Sequence, residues 1–87
     1  MSLSSFQCTA IRRLFQQAMT RSKKEESKYG PEAISRWKDL DTPTFLFAIL
    51  VGRELMDEDE VREHYNEILK IYLTTLKQHF GKGFLDS

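Results

Sequence analysis

Disulfide chemistry is missing from this chain by arithmetic, because Cys8 is its one cysteine among 87 residues. One thiol builds neither an internal disulfide framework nor a cysteine zinc cluster. That fits a reducing compartment, and a cytoplasmic protein is expected. Histidine is nearly as scarce: His64 and His79 are the two present, and neither has the cysteine or carboxylate spacing of a zinc site. Glycine and proline number four and two. No glycine-rich phosphate loop is formed, since Gly81-Lys82-Gly83 follows a helical segment instead of preceding one. The longest apolar run is Phe45 to Val51, far short of the ~20 residues that span a bilayer. The start, Met-Ser-Leu-Ser-Ser-Phe-Gln-Cys, has neither the basic nor the apolar region of a secretory signal. An excess of either charge is also missing. Thirteen Lys and Arg face thirteen Asp and Glu, which removes the global signature of a nucleic-acid binder. No cofactor and no membrane partner are expected.

The neutral total hides an asymmetry. Residues 1–40 carry eight basic and four acidic side chains, and residues 41–87 carry five and nine. One half is therefore +4 and the other −4, so the halves can attract each other within one chain or between two.

What is present reads as helix throughout, a single domain over residues 1–87. The apolar run belongs to Thr42–Met56. Thr42 suits an N-cap and Pro43 suits the first helical position, so a helix ending near Gly52 to Met56 is predicted there, in preference to the strand that the alternation of Phe45, Phe47, Ile49 and Val51 suits. A segment apolar on all sides is expected to be buried on most of its faces. Ahead of it, Ser4 or Ser5 can cap a first helix, and Ile11, Leu14, Phe15, Ala18 and Met19 follow the spacing of a core-facing stripe. Residues 20–30 are polar and read either as the end of that helix or as a loose connection, stopped at Gly30-Pro31. Pro31 opens a short second helix with Ala33, Ile34, Trp37 and Leu40 on one face. Asp57 and Glu60 form a capping box, and Met56 with Val61 a hydrophobic staple. A long last helix is predicted from there to Phe80, with a broad stripe of Val61, Tyr65, Ile68, Leu69, Tyr72, Leu73, Leu76 and Phe80. Gly81 ends it, and residues 81–87 are a tail in which Phe84 and Leu85 can fold back. The fold class is all-α: a small three- to four-helix bundle, with the apolar helix central between the first and last.

Three constellations offer chemistry. The first is acidic. Glu54, Asp57, Glu60, Glu63 and Glu67 surround a helix junction with His64 among them, and carboxylates from two helices can hold Mg²⁺. Glu54-x-x-Asp57 and Glu60-x-x-Glu63 are loosely similar to the acidic pairs of the MazG-like all-helical nucleotide pyrophosphohydrolases. That family carries a Glu-x-x-Glu pair and then a Glu-x-x-Asp pair on a following helix. The similarity covers about the last half of the chain. A second pair at the family's distance is absent, because Lys70 stands three residues after Glu67. The resemblance implies a metal-dependent hydrolase in which Glu54, Asp57 and Glu63 bind the ion. Capping and solvation of the last helix explain the same acids without catalysis.

The second constellation is basic: Arg12, Arg13, Arg21, Lys23, Lys24 and Lys28 on or after the first helix, able to meet phosphates. Glu25 and Glu26 interrupt it, no aromatic residue interleaves before Tyr29, and a solvated face is the preferred reading. The third is Cys8 near a helix start, where a thiol pKa can fall. No histidine lies close in sequence, so a structural thiol is preferred.

No catalytic set is complete, which leaves binding. The expected function is a small intracellular protein–protein interaction module, non-catalytic, with a homodimer as one form. Its contacts are assigned to Tyr65, Leu69 and Tyr72 on the last helix, where the stripe is too broad for the short helices to cover. The alternatives are the metal-dependent hydrolase and nucleic-acid binding through the first helix, of which the latter is the weaker.

Overall fold

A computed structural model describes residues 2–86, and among them every regular element is helical. The chain forms α1 (Ser5–Tyr29), α2 (Glu32–Ser35), α3 (Thr42–Gly52), α4 (Glu58–Glu63) and α5 (Tyr65–Phe80). Single 3₁₀ turns follow α2 at Arg36–Lys38 and α5 at Phe84–Asp86. The all-α bundle expected from the sequence is what forms.

α1 sets the size of the molecule. Twenty-five residues at 1.5 Å rise make about 37 Å, close to the 40 Å long axis. Ser4 caps it: its hydroxyl oxygen accepts from the Gln7 N–H at 3.1 Å, and the Gln7 side chain accepts from the Ser4 N–H at 3.0 Å. The polar stretch after Met19 is helix and not a loose connection. Its lysines, glutamates and arginine are good helix formers, and tertiary contacts hold it. Ser22 is buried and its Oγ accepts the Trp37 indole N–H at 2.8 Å. Glu25 pairs with Arg36. The helix stops at Gly30, whose φ of 93° is open to glycine and costly for other residues.

α5 packs directly along α1, and this pair is the frame. Ile11, Phe15 and Met19 face Ile68, Tyr72 and Leu76, all fully or almost fully buried. Phe15 and Tyr72 meet edge to face at 5.3 Å. Leu3 is buried as well, its N–H donating to Glu67 on α5 at 3.1 Å.

α3 differs from expectation in two respects. Its N-cap is Asp41, not Thr42: the Asp41 carboxylate accepts from the Thr44 N–H and hydroxyl, and an aspartate accepts there better than a threonine. Moreover, α3 is buried on one side and not on most of its faces. Leu46 and Leu50 are fully buried, Phe45, Phe47 and Ile49 are half-buried, and Ala48 and Val51 are exposed. The large rings make the bridge to the frame. Phe45 reaches Trp37 at 5.3 Å and Tyr72 at 5.6 Å, and Phe47 stacks on Tyr65 at 6.5 Å.

The long last helix is in fact two. His64, at φ −107° and ψ 19°, leaves helical geometry and divides α4 from α5. α4 packs on α3, whereas α5 packs on α1. The predicted cap is present, with Asp57 accepting from the Glu60 N–H at 2.8 Å and Glu60 accepting from the Asp57 N–H at 3.2 Å. Met56 and Val61, the staple pair, are both buried.

Candidate protein-binding groove

The side chains assigned to partner contact do not form one surface. Tyr72 is 2% exposed and lies in the core between Phe15 and Phe45. Burial pushes its hydroxyl pKa up to about 12. Its assignment to a partner is therefore corrected: it is a core residue. Tyr65 and Leu69 are half-buried against the same core. The reason for placing an interface on the last helix also fails. α1, helical through residues 20–29, packs along the stripe, and among the described residues none of the large exposed apolar side chains lies on α4 or α5.

Apolar surface is left open in two places: between α5 and the last turn, at Leu73, Phe84 and Leu85, and beside α1, along α3 and the turns next to it. Two adjoining depressions run along α1, of about 260 and 270 Å³, the first facing α3 and the second the turn after it. They share Leu14, Gln17 and Arg53, and so form one groove. From α1 it takes Phe6, Ala10, Leu14 and Ala18, from α3 Phe45 and Ile49. Trp37 and Leu40 close one end and Leu55 the other.

This lining follows from helical spacing. Residues 11, 15, 19 and 22 are the buried face of α1, so 10, 14, 18 and 21, each one position earlier, fall on the adjacent flank. Phe45 on α3 and Trp37 after α2, whose rings meet edge to face, both line that flank. At the Leu55 end the backbone is strained. Glu54 adopts φ 59°, a left-handed conformation rare for a glutamate. Leu55 and Met56 N–H groups then both donate to the Leu50 carbonyl, at 3.0 and 3.3 Å. That turn is flanked by Arg53 and Leu55, two groove residues, and strained residues of this kind concentrate at functional positions.

The rim is charged in one sense. Arg13, Arg21, Arg36 and Arg53 line the groove, against Glu25 as its single acid. Glu25 is already paired with Arg36.

The other candidates are not assembled. Glu54, Asp57 and Glu63, required by the hydrolase alternative, do not meet at one point. Among the described residues no group of three or more His, Cys, Asp or Glu is placed to hold a metal ion. Asp57 is occupied as the α4 cap. Glu63 approaches His64 at 4.0 Å, and Glu67 approaches His64 at 3.7 Å from the other side. The basic residues of α1 are dispersed around the helix. Arg12 shares a shallow depression with Lys70 on α5, Arg13 and Arg21 line the groove, and Lys23 lies over the Phe80 ring at 5.9 Å. Cys8 is half-buried and packs on the core. His79 is held below its ordinary pKa, first by burial and then by the nearby Lys23 charge. No described helix is long and apolar enough to cross a membrane.

No family model matches the chain, and no curated protein or solved structure matches it either. The site therefore rests on its own geometry.

The groove was missed in the sequence for an identifiable reason. Leu14 and Ala18 fit a core stripe, and so do Phe45 and Ile49. Nothing in the spacing says that two such flanks face each other across a gap. Phe6 and Ala10 are spaced to extend the α1 stripe, yet Phe6 faces outward. It is 83% exposed.

Proposed function

We propose that this chain is a small non-catalytic protein-binding module of a reducing, intracellular compartment, and that it binds through the groove between α1 and α3. The observation that carries the reading is the open apolar floor of that groove. Phe6, Leu40 and Leu55 are exposed and line it together with half-buried Leu14, Phe45 and Ile49. Scattered exposed apolar residues need no explanation, but a contiguous floor with a polar rim is the form of a contact site. The single, half-buried cysteine suits a reducing compartment.

The test is recovery of associated proteins with tagged chain from cells. The double variant Phe6→Glu, Leu55→Glu alters two exposed groove residues and leaves the core untouched. It is expected to keep its helical circular dichroism and to lose the proteins recovered with wild type. Tyr65→Ala is expected to keep them. An unchanged set with the double variant would exclude the groove as the contact site.

A further inference from the structure

If the groove is the binding site, its chemistry specifies the occupant more narrowly than a protein of any kind. We infer that the groove receives an acidic amphipathic α-helix supplied by another protein. Such a helix would lay its apolar stripe on Leu14, Ala18, Phe45 and Ile49 and direct carboxylates to Arg13, Arg21 and Arg53.

Shape comes first. From Phe6 to Glu25 the groove follows α1 for about 28 Å, or some five helical turns. One wall is α1 throughout, and the other is α3 at Phe45 and Ile49, continued by the turns before and after it. A cleft between two helices accepts a third by interlocking rows of side chains, with anchors at every third or fourth position. Strand addition, in which an extended peptide pairs with a sheet edge, has no template, since the described residues contain no strand. Ala10 and Ala18 keep the α1 wall low, so a helix backbone can approach it.

Charge comes second. The whole chain is neutral, yet the groove carries four arginines and one glutamate. The type of cation is more selective still. Of six arginines and seven lysines in the chain, four arginines and none of the lysines line the groove. A guanidinium matches a carboxylate with two parallel hydrogen bonds and is more weakly hydrated than an ammonium, which makes it the better partner for carboxylates at a contact. Within the chain, Arg36 already takes a carboxylate as its partner, that of Glu25.

A second copy of this chain is a poor occupant. Its own acidic helix, α4, has its apolar side committed to the core through Met56 and Val61, 5% and 0% exposed. It could bring acids to the rim but no apolar stripe to the floor.

Two designed helical peptides test the inference against the full chain. Both carry leucines at every third or fourth position. One has glutamates flanking the leucine stripe and the other has lysines. Binding is read by anisotropy of a dye on the peptide. The acidic peptide is expected to bind about tenfold tighter than the basic one, by electrostatic complementarity, and to weaken as salt is added. Arg21→Glu with Arg53→Glu is expected to abolish that preference while the chain stays folded. Equal binding of the two peptides overturns the acidic occupant and leaves the groove reading standing. Failure of both peptides to bind overturns both. So does binding to anionic phospholipid vesicles with neither peptide bound, which would make the basic rim a lipid surface. In sedimentation equilibrium the chain is expected at its monomer mass of 10.2 kDa. A dimer that dissociates in the double arginine variant would show that the occupant is a second copy, and would overturn the proposal.

Discussion

At the scale of single residues, Glu54 is out of place. The α3–α4 turn needs a left-handed residue there, and glycine takes that conformation at little cost. The chain's nearby glycine, Gly52, lies two positions earlier, at the end of α3, where no left-handed backbone is required. Glu54→Gly is therefore expected to stabilise the fold by roughly 1 kcal/mol, from the cost of left-handed backbone to an L-residue. Denaturant midpoints of the two proteins measure it. A loss of stability would mean that the Glu54 side chain contributes more than its backbone costs. His79 gives a pH prediction. Its folded pKa lies below its unfolded value of about 6.5, so the unfolded chain takes up a proton more readily. The contribution of His79 is intact above that value and is lost as pH falls through the lowered folded value. His79→Gln is expected to flatten the decline in melting temperature over that window, compared with wild type. Parallel curves would show that carboxylates alone cause the decline.

At the scale of elements, local signals were legible where a few adjacent side chains decide the outcome. The Asp57–Glu60 box and the Met56–Val61 staple are both present, as is the Gly30 stop. Asp57→Ala is expected to cost about 1 kcal/mol through loss of the cap, whereas Asp86→Ala in the exposed last turn should leave the unfolding midpoint where it is. Equal effects would place the α4 start elsewhere. The features that escaped reading depend on distant partners. Residues 20–29 have no apolar stripe, so their helicity is set by Ser22 meeting Trp37 and by Glu25 meeting Arg36. The break at His64 separates two segments that pack on different helices. Its sequence context, Arg-Glu-His-Tyr-Asn, carries no glycine or proline to announce it. On the apolar helix, composition signalled burial but not its side, because a run that is apolar all round points in no direction.

At the scale of the whole molecule, the frame of α1 and α5 joins the basic half of the sequence to the acidic half. The two halves of opposite charge thus already meet within one chain, through the packing of those helices. On α1, what stays open is the flank that α5 does not reach. α2 and its following turn are fastened there mainly by Trp37, whose ring meets Phe45, Tyr72 and Phe80 at 5.3, 6.4 and 6.0 Å. The Ser22 hydroxyl is the partner of its buried N–H. Ser22→Ala leaves that donor without its acceptor, and a cost of about 1–3 kcal/mol is expected. A change below the error of a chemical melt would show that another acceptor takes over.

Trp37 is also the chain's one tryptophan. The molecule therefore carries a single dominant fluorophore, and it sits where the core, the α1–α2 junction and the groove meet. Emission from it reports a blue-shifted, shielded indole in the folded state and a red shift on unfolding. A ligand laid in the groove perturbs the same indole without unfolding anything. Occupancy and stability can thus be followed on unlabelled protein, in one cuvette, and told apart because unfolding exposes the buried indole to water and carries the full red shift.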